Sequence, residues 1–370
     1  MKKILCILFA LLVLSGCSRR DTLPTETSGE SPTEQSPETT TVTTAVTAEV
    51  PSEAPTEAPT EPKEERFILT FAGDCTLGCA ENMHTYGSAY VMMIGDDYGY
   101  PFRNVIDYFE NDDFSMVNLE GPLSDSGKAT VKKHTFRGPT RFVNILTQNS
   151  VEAVTVANNH SMDYGQEGYD STVSTLENAG VAFVEQDNSM IYTTPSGLTI
   201  GVYAVSYDHL DTEEICAGIT ALDENEAVDL VILAAHWGIE NTFKPNEVQI
   251  ELGHAAIDAG ADIVFGTHPH VLQPIEEYNG GIIYYSLGNF TFGGNGNPRD
   301  YDTAFVQQEV IRDPDGTVRL GELTMVPCCI STLFYMNDFQ PTPYEPGTDG
   351  YNRIISKLDG SYAGGNLPWD

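Results

Sequence analysis

Basic residues are scarce in this sequence of 370 residues. It contains 18 Lys and Arg against 54 Asp and Glu, which gives a formal net charge of −36 at pH 7. Most of that charge lies after residue 66, in the part of the chain whose composition is globular. Such an acidic protein repels nucleic acid and anionic lipid, so nucleic acid is excluded as a partner. An anionic substrate would need a local positive centre, which a bound metal ion would supply.

Cysteine pairs with metal-binding spacing are also missing. The chain has seven cysteines, of which Cys6 and Cys17 lie near the amino terminus. The other five are odd in number and show no CxxC spacing, so we do not expect a zinc ribbon. An exported protein can form one or two disulfides, but the sequence defines no pairing.

The amino terminus has the pattern of an export signal. Two lysines precede an apolar run over 4–13 that is too short for a membrane-spanning helix. Leu14-Ser15-Gly16-Cys17 then resembles a bacterial lipoprotein signal, in which cleavage precedes the cysteine and its thiol receives a lipid. We expect 1–17 to be a signal peptide, Cys17 to be lipidated, and the protein to lie on the extracellular face of the cytoplasmic membrane. The alternative is an ordinary signal peptide with an incidental cysteine.

Residues 18–66 are rich in Thr, Pro, Glu and Ser and contain almost no large apolar side chain. Such a segment cannot bury enough apolar surface to offset the entropy lost on ordering. Its prolines and like charges favour extended conformations. We therefore predict a disordered stalk over 18–66, a folded domain over 67–340 and a loosely packed tail of that domain over 341–370, with a short helix over 353–358 as an alternative for part of the tail.

Short apolar runs alternate with helical patterns in the predicted domain. The runs lack two-residue alternation, as expected of strands that are buried on both faces, and occupy 67–72, 114–117, 153–157, 228–235 and 262–265. Apolar residues at three- and four-residue spacing predict helices over 141–148, 168–179 and 247–259. This alternation predicts an α/β domain with largely parallel central pairing. Later runs over 281–285, 303–310 and 318–324 predict an antiparallel edge or a second sheet.

Each of the five core strands is followed by a side chain that can bind a metal ion. In chain order these residues are Asp74, Glu120, Asn159 with His160, His236, and His268 with His270. Because sites form at the carboxyl ends of α/β strands, we expect these side chains to gather at one edge of one sheet. Imidazole, carboxylate and amide oxygen suit Mn, Fe, Zn or a similar divalent ion. Each residue alone has an ordinary explanation as a turn, strand-end or packed residue, and their coincidence predicts the site. The remaining histidines, His84, His134, His209 and His254, lack this placement.

The blocks around these residues resemble the CapA family of bacterial capsule and poly-γ-glutamate synthesis proteins. That family is similar in fold to calcineurin-like metallophosphoesterases. The resemblance covers about residues 67–327, and its blocks are Gly73-Asp74, Asn118-Leu119-Glu120, Phe136-Arg137-Gly138-Pro139, 157–165, His236-Trp237-Gly238, 266–273 and 286–290. It implies a four-layer αββα sandwich with two mixed sheets and a centre of two divalent ions.

The resemblance also implies a role for each site residue. Asp74 and His270 would bind the first ion, Glu120 would bridge both, and Asn159, His236 and His268 would bind the second. His160 would protonate a leaving oxygen, with Asn159 beside it in the catalytic pair. Arg137 and Asn118 would contact an anionic substrate, although Arg137 could equally form a surface salt bridge. The sequence departs from the phosphoesterases at Thr76, where they have a histidine ligand, and at Glu120, where they usually have Asp.

These observations lead to one functional hypothesis and two alternatives. The first is a membrane-anchored, metal-dependent hydrolase-type protein in capsule or poly-γ-glutamate synthesis, export or release. Its partners would be an extracellular anionic polymer or its precursor and membrane-embedded synthase subunits. The second is a polymer-binding or assembly factor without catalysis, which Thr76 and the acidic surface favour. The third is a phosphatase or nucleotidase that scavenges nutrients.

Overall fold

Two mixed β-sheets and seven helices make up the part of the chain that the computed structural model describes, which is residues 63–80, 90–333 and 336–367. The predicted signal peptide, Cys17 and the predicted stalk up to residue 62 lie outside the described residues. Within the described ranges, none of the helices has the length and apolar character needed to cross a membrane.

The first sheet joins a parallel half to an antiparallel half. Its strands are β1 (Glu65–Thr76), β2 (Phe114–Leu119), β3 (Ala153–Thr155), β4 (Ala182–Val184), β11 (Asn289–Phe292), β12 (Asp302–Arg312), β13 (Val318–Cys329) and β14 (Thr342–Pro343). Their order is β14-β13-β12-β1-β2-β3-β4, and β11 pairs with the end of β1. Pairing is parallel from β1 to β4 and antiparallel from β1 to β14. The predicted antiparallel edge is thus formed by β12 and β13.

The second sheet has a parallel centre with one antiparallel strand at each edge. Its strands are β5 (Asn188–Thr193), β6 (Thr199–Ser206), β7 (Leu230–His236), β8 (Ile263–Thr267), β9 (Ile275–Tyr278) and β10 (Gly281–Tyr284). Their order is β5-β6-β7-β8-β10-β9. Parallel pairs join β6 to β7, β7 to β8 and β8 to β10.

Three clusters of buried apolar side chains separate four layers. The helices are α1 (Tyr90–Ile94), α2 (Ile106–Phe109), α3 (Val143–Thr147), α4 (Gly165–Ala179), α5 (Thr212–Asp223), α6 (Glu247–Asp258) and α7 (Asp349–Leu358). One cluster lies between the first sheet and α1 to α4, one between the two sheets, and one between the second sheet and α5 and α6. The four-layer αββα sandwich with two mixed sheets is therefore confirmed.

The strands are buried on both faces, which explains their unbroken apolar runs. On β7, Leu230, Ile232 and Ala234 face the other sheet. Their neighbours Val231, Leu233 and Ala235 face α5 and α6. Both sets are therefore apolar, and the two-residue alternation of a half-exposed strand disappears.

The expectation that all five ligand-bearing strands belong to one sheet is wrong. β1, β2 and β3 lie in the first sheet, whereas β7 and β8 lie in the second. A strand that is covered on both faces has the same sequence pattern in either sheet, so the pattern could not assign it. The carboxyl ends of the two sets nevertheless meet at the seam between the sheets, and the predicted gathering of the ligands is preserved.

The segment after Gln340 is packed rather than loose. It contributes β14 and α7, and the apolar face of α7 packs Ile354 and Leu358 against Leu272 and Ala304. Lys357 is 2% exposed, and its ammonium group lies 2.7 Å from a carboxylate oxygen of Asp300 and 2.7 Å from one of Asp302. Arg353 donates two further hydrogen bonds to Asp302, at 2.7 and 2.6 Å. A buried charge network thus fastens α7 to the start of β12.

We predict that Lys357→Ala lowers the free energy of unfolding by about 3 kcal/mol, because it leaves the buried carboxylates of Asp300 and Asp302 short of one cation. Urea unfolding of the full chain measures the change. Lys244→Ala removes an exposed lysine and is the matched control, with an expected change of less than about 0.5 kcal/mol. Equal losses in the two variants would contradict the prediction.

Candidate metal centre

The carboxyl end of β1 reaches the seam between the sheets through a contact that only glycine permits. A Cβ atom on Gly73 would lie 1.9 Å from the carbonyl oxygen of Gly288. The missing side chain lets the two backbones touch, and Asp74 N–H donates to Gly288 O at 2.8 Å. The pairing of β1 with β2 is also irregular between Ala72 and Asp74. Asp74 and Asn289 are brought side by side as a result.

The potential ligand atoms of Asn159, His236 and His268 lie close together. Nε2 of His236 lies 2.9 Å from Oδ1 of Asn159 and 3.1 Å from Nδ1 of His268. Oε1 of Glu120 lies 4.0 Å from the same nitrogen. Donor atoms that share one ion at about 2.1 Å lie roughly 3 Å apart, so this is the spacing of a ligand set. The structure therefore brings together the four residues that were predicted to hold the second ion.

The two histidines of this set are held neutral, which is the state that binds a metal ion. Burial, together with the neighbouring imidazoles, keeps the pKa of His236 well below its usual value. Burial also lowers the pKa of His268 to about 3. Nδ1 of His236 lies 3.0 Å from the Thr267 hydroxyl, which can accept its proton and leave the Nε2 lone pair for a ligand role.

Asp74, Glu120 and His270 form the second group, which matches the residues predicted for the first ion. They offer ligand atoms that all lie within 4.8 Å of one another. Nδ1 of His270 lies 3.2 Å from Oδ2 of Asp74, and its Nε2 lies 3.7 Å from Oε1 of Glu120. Burial acts to lower the pKa of His270, but the two carboxylates outweigh it and raise the pKa to about 10. This group therefore attracts a positive charge.

Glu120 provides the clearest test of whether a cation fits. Its side chain is fully buried, and neither carboxylate oxygen has a hydrogen-bond partner among the described residues. Burial raises the pKa of this carboxyl well above its usual value. A buried carboxylate without donors is costly unless a charge compensates it. Together with the neutral imidazoles, this donor set fits one or more divalent ions; it defines neither the metal nor the number of ions.

Asn118 lies behind the ligands and does not line the cleft. It is fully buried, and its Nδ2 donates to Oδ1 of Asp74 at 2.8 Å and lies 3.2 Å from Nδ1 of His236. Its Oδ1 accepts a hydrogen bond from Nδ2 of Asn158 at 3.0 Å. This placement lets Asn118 orient Asp74, and it differs from the substrate contact that the resemblance implied.

His160 points one ring nitrogen at the centre and the other at a buried acid. Its Nδ1 lies 2.6 Å from Oδ2 of Asp163, and its Nε2 lies 3.8 Å from Oε1 of Glu120. Asp163 is fully buried and also lies 2.5 Å from the ammonium group of Lys132. Burial lowers the pKa of His160, although Asp163 acts in the opposite direction. The sequence analysis missed Asp163, whose signal was an acid three residues after a candidate histidine.

The structure places Arg137 away from the cleft. Its guanidinium group lies over the ring of Tyr164 at 4.5 Å, and Nη1 donates to the carbonyl oxygen of Ser126 at 3.1 Å. The side chains that line the cleft include His134, Phe136, His160, Glu240, His270 and Arg299. Arg299, rather than Arg137, is thus the arginine that faces this space.

Sequence analysis also missed Glu240, which belongs to a group with His268 and His270. The available signal was an acidic residue four positions after His236, in the loop that follows β7. The two histidines have unusual backbone conformations, with φ angles of 95° for His268 and 57° for His270. Positive φ in residues other than glycine is costly and concentrates at functional sites, which agrees with the position of this segment.

Comparison with known proteins identifies the family. Residues 68–294 match the family model described as bacterial capsule synthesis protein PGA_cap, and the chain belongs to this family. It is 33% identical over 237 residues to the PGA biosynthesis protein CapA of Bacillus subtilis, a match that covers 58% of this chain and 62% of that protein. It is 30% identical over 293 residues to the capsule biosynthesis protein CapA of Bacillus anthracis, with 70% and 67% covered. The chain therefore spans less than two thirds of the Bacillus subtilis protein.

Among solved structures, the chain is similar to the NAD nucleotidase of Haemophilus influenzae. That match has 11% identity and a TM-score of 0.42, and covers 80% of this chain and 63% of the nucleotidase.

We predict that the purified full chain binds about two equivalents of a divalent metal ion and that Asp74→Ala/His270→Ala reduces this to about one. The double substitution removes two of the three ligands of one group and leaves Asn159, His236 and His268 in place. Elemental analysis after metal loading measures the content, and a thermal melt checks folding. One equivalent in both proteins would mean that only the Asn159 group binds, and would contradict a two-ion centre.

Proposed function

We propose that this protein is a membrane-anchored, metal-dependent hydrolase-type protein that acts in the synthesis, export or release of capsule or poly-γ-glutamate. The names of the two Bacillus relatives support the pathway, and the amino-terminal pattern that ends at Cys17 supports the anchor and a position on the extracellular face of the membrane. Membrane-embedded synthase subunits would be its partners. The observation that carries the hydrolase proposal is the unpartnered, buried Glu120 among neutral imidazoles, with the His160–Asp163 pair beside it.

The proposed chemistry divides between a bound ion and the side chain of His160. Asp74, Glu120, Asn159, His236, His268 and His270 would hold divalent metal, which supplies positive charge to an attacked phosphoryl or carbonyl group. Asp163 accepts the Nδ1 proton of His160 and so fixes the tautomer and ring orientation. In the protonated imidazole the second proton lies on Nε2, which faces the centre and can give that proton to the leaving oxygen or nitrogen. The Asp163 carboxylate stabilises the charged imidazole before this transfer.

A basic stretch beside the centre supports an anionic substrate. Residues 126–151 contain no Asp or Glu and five basic residues, in a chain whose net charge is −36. We call 126–137 the basic loop; Lys128, Lys132, Lys133 and His134 are exposed on it. Such a local reversal of charge attracts and orients polyanions.

The basic loop is joined directly to the proposed catalytic residues. Lys132 Nζ donates to the carbonyl oxygen of Asn159 at 2.6 Å, and the Phe136 ring lies 4.5 Å from the His160 ring. His134 and Phe136 also line the cleft. An anionic polymer held on the loop would therefore have one part of its chain at the cleft, next to His160.

The second candidate function is polymer binding or assembly without catalysis. The hydroxyl of Thr76 is buried and has no hydrogen-bond partner among the described residues, and it stands where the phosphoesterases have a histidine ligand. The Asp74 group therefore has one ligand fewer than the sites it resembles. The third candidate, a scavenging phosphatase or nucleotidase, would act on small phosphoesters and would not need the basic loop.

We predict that His160→Ala lowers turnover of γ-glutamyl or phosphoester substrates by about 100-fold or more, since it removes the proposed acid, and leaves metal content unchanged. His236→Ala should remove the metal ion of the Asn159, His236 and His268 group and abolish turnover. His254→Ala, on α6, is the matched control. Full activity in His160→Ala would contradict the mechanism, and polymer binding without turnover in the unmodified protein would favour the assembly role.

We predict that Lys128→Gln/Lys133→Gln weakens binding of labelled poly-γ-glutamate by roughly three- to tenfold at low salt, because two exposed charges near the cleft are lost. The difference should shrink at high salt, since exposed charges are screened. Fluorescence anisotropy measures the binding. Lys63→Gln/Arg103→Gln removes the same charge elsewhere on the surface and serves as control. Equal affinity of the two double variants would exclude the basic loop as the binding surface.

A further inference from the structure

Glu240 lies beside the metal centre on the side of the cleft. Its carboxylate and the imidazoles of His268 and His270 each offer a ligand atom, and these atoms all lie within 4.8 Å of one another. Glu240 is half-buried and lines the cleft, as His270 does, whereas Asp74 and Glu120 are fully buried. His270 is therefore shared by two groups of potential ligands, one with the buried carboxylates and one with Glu240.

The backbone around Glu240 is fastened to the segment that carries the two histidines. Asn241 N–H donates to the carbonyl oxygen of Pro269, which lies between His268 and His270, at 2.8 Å. On the other side, the carbonyl oxygen of Asn241 accepts a hydrogen bond from the N–H of Leu367 at 3.0 Å. The loop also turns at Gly238 and Asn241, whose φ angles are 87° and 62°. Glu240 is thus held in place by its neighbours instead of projecting freely into solvent.

The charge balance of a two-ion centre leaves room for a third carboxylate. Two divalent ions carry four positive charges, and Asp74 and Glu120 would balance two of them. A third carboxylate at the open side of the same histidines would balance one more and would supply an oxygen donor, which divalent ions such as Mn accept readily.

We propose that Glu240 is a further ligand of the metal centre and supplies, from the cleft side, the donor that Thr76 fails to provide. The motivating juxtaposition is the Glu240–His268–His270 group, which shares His270 with the Asp74–Glu120–His270 group. Thr76 stands where the phosphoesterases have a histidine ligand, and its buried hydroxyl has no hydrogen-bond partner among the described residues. The inference rests on the proposed metal centre, and it is independent of whether the protein hydrolyses its substrate.

Cobalt binding distinguishes a ligand from a nearby charge. Full-length unmodified protein, Glu240→Gln and Glu251→Gln are titrated with Co²⁺, and affinity and the visible absorption of the bound ion are recorded. Glu251 is exposed on α6, so its variant has the same loss of charge away from the cleft. We expect Glu240→Gln to weaken one Co²⁺ equivalent by about tenfold or more and to change the absorption spectrum at saturation, because the donor set changes. Glu251→Gln should change neither.

Two outcomes would overturn the inference. Glu240→Gln could match the unmodified protein in stoichiometry, affinity and spectrum, or it could lose affinity with an unchanged spectrum, which would make Glu240 only a nearby charge. If the unmodified protein itself binds no Co²⁺, Mn²⁺ or Zn²⁺, the metal centre fails as a whole, and with it this inference. Circular dichroism and thermal melts of each variant ensure that a loss of binding is not a loss of folding.

Discussion

Glu120 is buried without a hydrogen-bond donor from any residue that the structure describes, and the rest of the site depends on this constraint. A carboxylate in that position is stable only as a neutral acid or beside a positive charge. The surrounding groups favour the second solution, since His270 is drawn towards its charged form while His236 and His268 stay neutral. Asn118 and Thr267 then fix the orientation of the ligands. With the proposed metal bound, the same arrangement would let a strongly acidic protein present a positive centre to the proposed anionic substrate.

Much of the site could be predicted from the sequence because its ligands follow buried strands directly. Glu120, His236 and His268 stand at or directly after a strand end, Asp74 lies two residues before the end of β1, and Asn159 follows β3 by four residues, so chain direction brings these side chains together. Glu240 and Asp163 could not be found in this way, since both lie in loops and not at the end of a predicted strand. For Arg137, the sequence motif suggested a substrate contact that the structure does not show. The guanidinium group instead stacks on Tyr164, and this contact depends on tertiary packing that a local sequence pattern does not encode.

Two of the elements that the sequence analysis did not predict, β6 and α5, share a physical cause. β6 contains Gly201, and α5 contains Gly218, and glycine weakens the pattern of a strand or a helix. Both glycines are explained by packing. A Cβ atom on Gly218 would lie 2.3 Å from the ring of Tyr203, and one on Gly201 would lie 3.1 Å from Leu222 and from Val228. Close approach of α5 to the second sheet therefore requires residues that local propensity disfavours.

The position of β1 in the middle of the first sheet has a consequence for the order of folding. β1 pairs on one side with β2 and on the other with β12, and it touches β11 at its end. The pairing of β1 is therefore complete only when strands that lie more than 200 positions later in the chain have joined it. Such distant pairings form slowly. Asp74 lies in that pairing, so the complete ligand set exists only once the domain has closed. Binding of the proposed metal ions would then be coupled to folding, and the ions present where folding is completed would decide which metal the protein carries.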